Sequence, residues 1–405
     1  MTRFSFKSIG PGLIFAGAAI GVSHLVQSTR AGADFGFGLL WALLLVTIFK
    51  YPFFEFGMRY ANATGETLLD GYKKLNKSIL PFYYVLTFTT MFTIQAAVTI
   101  VTASLAQMLF GDFLSVKIWA MIILLISTLI ILIGRYRLLD NLMKVIVITL
   151  TVSTIIAVAL SFSKNTTALN FQQLIPDNAT EIAFLIAFMG WMPAPLDCSI
   201  WQSLWTVEKQ KVSTSFKGKS PLYDFNIGYA LTILVGVCFM SLGVLVMYNS
   251  NLTFSNSGAE FSNQLINMYT KSLGSWSYLI IGIAAFTTMF STTLTTLDAS
   301  PRAMHKTSSL LFKKFKYFNF KFWLFLLAIG TSAIFIWFST ELITLVKIAT
   351  IISFLTAPFY AIINYKLITS KHMPKADHPS LFIKLLSWLG MVFLLGFGLW
   401  YIASL

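Results

Sequence analysis

The stretch GPGLIFAGAAIGVSHLVQSTRAGADFG, residues 10–36, largely decides how this chain can fold. It is apolar and long enough to cross a bilayer, yet several glycines precede the polar pair Ser23 and His24 near its middle. A second apolar stretch, residues 184–205, reads FLIAFMGWMPAPLDCSIWQSLW and carries Pro193 and Pro195, which remove two helix donors. Lipid cannot satisfy freed backbone groups, so such breaks must face a cavity inside the protein. Both stretches are therefore predicted to be interrupted helices, non-helical at residues 21–24 and 191–196, that face each other.

The composition is that of a polytopic, all-α membrane protein. Of the 405 residues 57% are hydrophobic and only 11% are charged, against about 25% charged in an average soluble domain. The N-terminal apolar stretch lacks the small-residue cleavage pattern of a signal peptide, so the first span is expected to stay in the protein. Cys198 and Cys238 lie in apolar stretches, which excludes a disulfide framework and a cysteine-rich metal cluster.

Eleven stretches are apolar and long enough to span a bilayer about 30 Å thick. Their predicted limits are 11–33, 37–60, 81–110, 116–134, 140–162, 181–205, 226–248, 276–298, 321–339, 342–364 and 385–404.

The basic residues predict the orientation of these spans. With the N-terminus in the cytoplasm, 21 Lys and Arg fall in inside segments and 4 in outside segments, and the odd span count places the C-terminus outside. The net charge of +14 is spread over six inside segments and forms no single stripe, which argues against nucleic-acid binding. The expectation is a multi-pass protein of the plasma membrane, surrounded by lipid and without an obligate protein partner.

The two interrupted helices are the first helices of two five-span halves, about 8–165 and 178–366. Because five is odd, the halves have inverted topologies, and the span at 385–404 is an addition to one transporter domain over 1–405. This arrangement is typical of secondary transporters, whose substrate site lies at the interface of the repeats. No hydrolase triad, metal-hydrolase spacing or phosphate loop suggests an enzyme, and no cofactor is expected.

Several motifs resemble the Nramp (natural resistance-associated macrophage protein) family of divalent-metal transporters. They are the opening GPG and DFGFGLLW within residues 10–41, Arg59, the run Ala63-Thr64-Gly65, and Met192-Pro193. The resemblance implies a leucine-transporter-like five-plus-five inverted repeat with broken helices 1 and 6, plus an eleventh span. It also implies a divalent metal ion as the transported substrate.

The residues that would carry the chemistry depart from the family pattern. The family's Asp-Pro-Gly-Asn break corresponds to residues 21–24, Gly-Val-Ser-His, so the anionic ligand is missing. Its Met-Pro-His becomes Met192-Pro193-Ala194, which keeps the thioether and loses the histidine, and its acidic proton route in span 3 corresponds to Ser104 and Gln107. Transport is therefore expected to proceed without the usual proton route.

The candidate substrate site combines residues from both breaks, and each has an ordinary structural alternative. Imidazole and thioether ligands suit transition metals such as Fe(II), Zn or Cu better than Ca or Mg. His24 is otherwise a hydrogen-bonded histidine, Met192 a core methionine, and Asp197 an acid in the first turn of a half-helix. The candidate residues are Gly21, Ser23, His24, Met189, Met192 and Asp197, with Pro193 and Pro195 forming the break.

Lys50 and Glu55 in span 2 are costly to place in lipid and are expected to face the interior. Their spacing separates them by about 140° around a helix, so they should not pair with each other. Lys50 is predicted either to pair with an acid such as Asp197 or to act as an internal cation that replaces a coupling ion. If Lys50 approaches the site, a carboxylate-bearing organic solute such as an amino acid becomes the competing substrate. A ligand-binding sensor with the same fold is a third alternative.

One outside loop, residues 249–275, contains Phe261, Leu265, Met268 and Tyr269 at helical spacing. We predict a short amphipathic helix there, either a cover at the membrane surface or a gating lid.

Overall fold

The computed structural model describes residues 11–133, 136–164, 169–212, 220–248, 254–255, 258–312, 317–338 and 342–405. These residues form helices joined by short connections, with a π-helix at Ser23–Ser28 and a 3₁₀ turn at Lys375–Asp377. The α-helices are α1 (Pro11–Ala19), α2 (Thr29–Phe35), α3 (Leu40–Thr64), α4 (Leu68–Leu75), α5 (Ile79–Phe110), α6 (Val116–Ile133), α7 (Tyr136–Lys164), α8 (Ala179–Trp191), α9 (Cys198–Val212), α10 (Ser220–Val246), α11 (Gly258–Leu273), α12 (Ser277–Leu311), α13 (Phe320–Trp337), α14 (Leu342–Ile368) and α15 (Leu381–Ala403).

Each of the eleven predicted spans coincides with one helix or with a pair of helices. Within the described residues, eight helices are long and apolar enough to cross a membrane: α3, α5, α6, α10, α12, α13, α14 and α15. α7 contributes a further apolar stretch over Ile148–Lys164, and the first and sixth spans are the interrupted pairs α1/α2 and α8/α9. The all-helical class and the breaks in spans 1 and 6 are thus confirmed.

α5 and α12 pack along each other through a seam of polar side chains at membrane depth. Thr102 and Thr293 join their hydroxyls across the seam at 2.7 Å, and Thr296 Oγ1 donates to Gln95 Oε1 at 2.8 Å. Hydroxyls and amides are stable there because each finds a partner on the facing helix. The seam holds α5 against α12, and α12 packs on α1 and α9 of the two broken spans.

Glycines set the closest approaches of the broken helices to their neighbours. A Cβ added to Gly32 in α2 would overlap the carbonyl oxygen of Met240 in α10. A Cβ on Gly190 in α8 would likewise overlap the carbonyl oxygen of Thr350 in α14. Only a residue without a side chain allows these backbones to meet.

The loop helix is present as α11, but its apolar face covers protein. Phe261, Leu265, Met268 and Tyr269 are each at most 2% exposed, and α11 packs on α5, α12 and α7. Tyr269 Oη also lies 3.1 Å from Thr154 Oγ1 of α7. The apolar face therefore packs on the helical bundle. A role as a cover at the membrane surface and a role as a gating lid both stay predictions.

α12 extends well beyond the predicted limit at residue 298. Its extra turns are held by an ion pair between Arg302 Nε and Asp298 Oδ2 at 2.6 Å, one turn apart. Lys306 then reaches Asp70 of α4 at 2.7 Å. Burial alone raises the pKa of the Asp70 carboxyl, but hydrogen bonds from Lys306 and Thr67 outweigh it and hold this pKa below its ordinary value.

Candidate functional site

The first break is shorter than predicted. α1 ends at Ala19, the chain bends at Ile20 and Gly21, and helical hydrogen bonding resumes at Val22. Residues 23 and 24 are therefore helical, in the wide turns of the π-helix, and the prediction of a non-helical stretch over 21–24 is wrong there. Ser28 Oγ also donates to the Ser23 carbonyl oxygen at 3.2 Å, one wide turn back along the π-helix.

The second break spans residues 192–197. α8 ends at Trp191 and α9 begins at Cys198, so the unwound segment contains both prolines. Neither proline can donate a backbone hydrogen bond, and the Met192-Pro193 peptide is cis. α9 is restarted by the amides of Cys198 and Ser199, which donate to the carbonyl oxygens of Pro195 and Leu196 at 3.1 Å each.

The two breaks meet beside α10. Ser23 Oγ lies 3.4 Å from the Pro193 carbonyl oxygen, directly across the contact. A Cβ placed on Gly236 of α10 would lie 3.4 Å from Met192 Sδ and 3.6 Å from His24 Cδ2. The thioether and the Cδ2 edge of the imidazole thus both approach Gly236, and both residues are fully buried.

Both ring nitrogens of His24 have hydrogen-bond partners. Nε2 lies 2.9 Å from the Thr232 carbonyl oxygen, which can only accept, so this nitrogen carries a proton. Nδ1 lies 2.7 Å from Ser23 Oγ. The same hydroxyl lies 2.8 Å from the Ala19 carbonyl oxygen and 3.4 Å from that of Pro193, so Ser23 has three acceptors for a single proton. Rotation of the hydroxyl toward Ala19 would leave the Nδ1 lone pair available.

Gly21 faces α12 at close range. A Cβ at this position would lie 2.9 Å from Thr292 Oγ1 and 3.0 Å from its Cγ2, which is tighter than ordinary van der Waals contact. The position that corresponds to the family's aspartate therefore offers little room for a side chain in this arrangement. Gly21 contributes to the break through its backbone, which bends there.

Lys50 extends from α3 to the unwound segment and is fully buried. Its ammonium group donates to backbone carbonyl oxygens of α8 and the break, those of Met189 at 2.7 Å, Gly190 at 2.8 Å, Met192 at 3.1 Å and Ala194 at 3.3 Å. Lys50 and Asp197 interact electrostatically but form no direct ion pair. The predicted pairing with Asp197 is therefore wrong, because the carbonyls at the negative end of α8 bind the ammonium instead.

Glu55 lies on a different side of α3, as the helical spacing predicted. Arg59 Nε donates to Glu55 Oε1 at 2.6 Å, and Arg59 also donates to the Asp377 carbonyl oxygen at 3.2 Å. Glu55 is 1% exposed, and its Oε2 has no hydrogen-bond partner. The pair joins α3 to the connection before α15.

Asp197 lines a separate small cavity of about 10 Å³ beneath the break. The residue is 8% exposed, and its Oδ1 has no hydrogen-bond partner. The remaining lining comes from α5, the break and α14: Thr90, Ile94, Pro195, Leu196, Ser353, Thr356 and Tyr360.

The other predicted positions lie away from this centre or take part through the backbone. Met189 is fully buried in α8, and its carbonyl contacts Lys50. Ser104 donates back to the Ile100 carbonyl oxygen within α5, and Gln107 donates to the Leu114 carbonyl oxygen near the end of that helix. Among the described residues, no group of three His, Cys, Asp or Glu side chains could hold a metal ion. Cys198 and Cys238 are both free and buried.

Comparison with known proteins places this architecture in a family. The model of the natural resistance-associated macrophage protein-like family matches residues 12–404. An uncharacterised protein of Pasteurella multocida is 34% identical, with 98% of this chain and 92% of that protein covered. The divalent metal cation transporter MntH of Staphylococcus saprophyticus is 24% identical, with 72% of this chain and 67% of the relative covered.

Solved structures show the same fold at low sequence identity. A mutant of the Eremococcus coleocola manganese transporter superposes with a TM-score of 0.75 at 15% identity, covering 98% of this chain and 86% of that one. The transporter MhsT, in complex with L-phenylalanine, superposes with a TM-score of 0.65 at 13% identity, covering 99% and 98%. Their folds agree with the leucine-transporter-like arrangement of the two broken helices. The chain belongs to the Nramp family, whose members are membrane transporters and not enzymes.

Proposed function

We propose that this protein is a secondary transporter that moves divalent transition-metal cations across the plasma membrane. The observation that carries the proposal is the position of Met192, whose buried thioether approaches Gly236 of α10 from the second break while His24 approaches it from the first span. A thioether and an imidazole favour soft or borderline metals over Ca²⁺ and Mg²⁺. Relatives named as divalent metal and manganese transporters support the same substrate class.

The hydrogen bonds of His24 suit a ligand role through Nδ1. Ligating histidines usually donate their second ring N–H to a carbonyl or carboxylate, which fixes the ring, and the Thr232 carbonyl oxygen accepts such a bond. Ser23 would release Nδ1 by turning its hydroxyl toward Ala19, whose carbonyl oxygen is already within 2.8 Å. The metal would thus gain a nitrogen ligand without leaving the Ser23 hydroxyl unpaired.

Metal binding by purified protein tests this assignment. Met192→Leu keeps the side-chain volume and removes the sulfur, and we expect it to weaken Zn²⁺ or Fe²⁺ binding by about tenfold or more, as expected when one ligand is lost. Met304→Leu is the matched control, because Met304 is also fully buried but lies in a separate cluster. Equal metal affinity of both variants would show that Met192 is not a metal ligand.

One observation favours a second candidate, a carrier of a small organic acid such as an amino acid. The Lys50 ammonium reaches the carbonyl oxygens of Met192 and Ala194, so it places a positive charge at the break. That charge repels a metal cation and attracts a carboxylate. Saturable uptake of an amino acid without metal uptake would establish this second function.

We also propose that transport does not use the family's acidic proton route. Gly21, Ala194, Ser104 and Gln107 occupy the corresponding positions, and none of these side chains titrates near neutral pH. Metal uptake into vesicles that contain a pH-sensitive dye is expected to proceed without proton influx. Stoichiometric acidification with uptake would contradict this part of the proposal.

A further inference from the structure

The cavity beneath the second break is lined by a carboxylate oxygen that has no hydrogen-bond partner. Asp197 is more than nine-tenths buried, and its Oδ1 lacks a hydrogen-bond partner. An unpaired carboxylate removed from water costs several kcal/mol unless another group compensates it. Lys50, the nearby buried cation, does not pair with it, because the carbonyl oxygens of α8 and the break bind the ammonium.

The hydroxyl groups around this oxygen present lone pairs to the cavity. Thr90 Oγ1 donates its proton to the Leu86 carbonyl oxygen at 2.9 Å, within α5. In α14, Ser353 Oγ donates to the Ala349 carbonyl oxygen at 2.8 Å and accepts from Trp191 Nε1 at 2.8 Å, which leaves it one free lone pair. Thr356 Oγ1 donates to the Ile352 carbonyl oxygen at 3.0 Å. A hydroxyl has one proton, so these three groups can offer only acceptor oxygens to anything inside the cavity.

A carboxylate and hydroxyl oxygens form a site for a hard cation. The charge and the size of the cavity restrict which cation can bind. The cavity of about 10 Å³ holds a single particle about the size of a water molecule. A divalent ion would leave a large excess of positive charge, because Asp197 is the one carboxylate in the lining of the cavity. A small monovalent cation balances Asp197 alone.

We propose that this cavity binds one Na⁺ ion, held by Asp197 Oδ1 and by hydroxyl oxygens of Thr90, Ser353 and Thr356. The site joins α5, the unwound segment and α14, so the bound ion stabilises the arrangement in which these three elements are in contact. Na⁺ binding thereby acts on the broken sixth span directly. The inference does not depend on which substrate the Met192 site carries.

Thermal unfolding of the purified full-length protein, without added metal or organic solute, tests the site. Sodium, potassium and choline chloride are compared at equal ionic strength and pH. We expect NaCl to raise the Tm by several degrees in a saturable manner, with smaller effects of KCl and choline chloride. Asp197→Asn should abolish the sodium-specific shift, while Asp112→Asn, an exposed acid in the α5–α6 connection, should retain it.

Thr356→Val provides a second variant that keeps the charge of the cavity. The Thr356 hydroxyl donates only within its own helix, so valine should fold normally while it removes one ion ligand. We expect the sodium concentration for half-maximal stabilisation to rise about tenfold, as expected when one ligand is lost.

Three results would overturn the proposal. They are equal Tm values in all three salts, a sodium shift that survives Asp197→Asn, and stabilisation by acid in place of sodium. The last would assign a proton to Asp197, and the first would show that the cavity does not bind Na⁺. None of these outcomes bears on metal binding at Met192, so the two proposals can fail separately.

Discussion

The Lys50 ammonium lies 2.7 Å from the carbonyl oxygen of Met189, at the end of a helix that stops two residues later. The last carbonyls of a helix lack partners within it and carry the negative end of the helix dipole. Lys50 satisfies several of them at once, with four carbonyl oxygens within 3.3 Å. A side chain thus occupies a position where backbone oxygens could coordinate a free cation.

Lys50→Met should destabilise the protein markedly. The substitution leaves buried carbonyl oxygens without donors, at about 1–3 kcal/mol for each unsatisfied group. We expect a clear fall of the Tm in thermal unfolding of the detergent-solubilised protein. Lys347→Met is the control, because Lys347 is exposed on α14 and should tolerate the change. A Lys50→Met protein as stable as the wild type would show that the carbonyls find other partners.

Uptake of metal should decrease once the pH falls below the point at which His24 gains a proton, if His24 is a ligand. The added proton takes the lone pair that the metal needs. His24→Ala should reduce metal affinity and flatten the pH profile, whereas His372→Ala, outside the spans, should leave the profile unchanged. A pH dependence that persists in His24→Ala would assign the titration to another group.

Gly190→Ala should disturb both packing and the Lys50 contact. The added methyl would overlap the Thr350 carbonyl oxygen and push α8 away from α14, and overpacking of this kind costs about 1–3 kcal/mol. Gly396→Ala is a matched control, since a Cβ there meets no atom within 4 Å. We expect the Tm to fall for Gly190→Ala alone, and an equal effect of both variants would exclude the packing argument.

The orientation of the spans is expected to place the N-terminus and the end of α9 inside. Single cysteines at Lys211 and Glu260, both exposed, should then react with a membrane-impermeant thiol reagent from opposite sides of the cell membrane. The two native cysteines are buried and should contribute little background. Labelling of both positions from the same side would contradict the orientation.

The breaks and the interior position of Lys50 could be predicted because glycine, proline and a membrane-depth lysine have direct sequence signatures. The partners could not be predicted, since most of them are backbone carbonyls, which look alike in any sequence. Thr232 contacts His24 through its carbonyl oxygen, and the pairing of Lys50 with Asp197 failed for the same reason. In the sequence, Thr90 and Thr356 cannot be told from other threonines of membrane helices. Only the cavity between their helices marks them as possible ligands.

The family assignment by itself does not identify the cargo, because Gly21 faces Thr292 where the family has an aspartate. The most direct measurement is uptake by the wild-type protein in proteoliposomes, with Mn²⁺, Fe²⁺, Zn²⁺ and a panel of amino acids offered side by side. We predict saturable uptake of at least one transition metal, strongly reduced in Met192→Leu and retained in Met304→Leu. Saturable uptake of an amino acid with no metal flux would contradict the account.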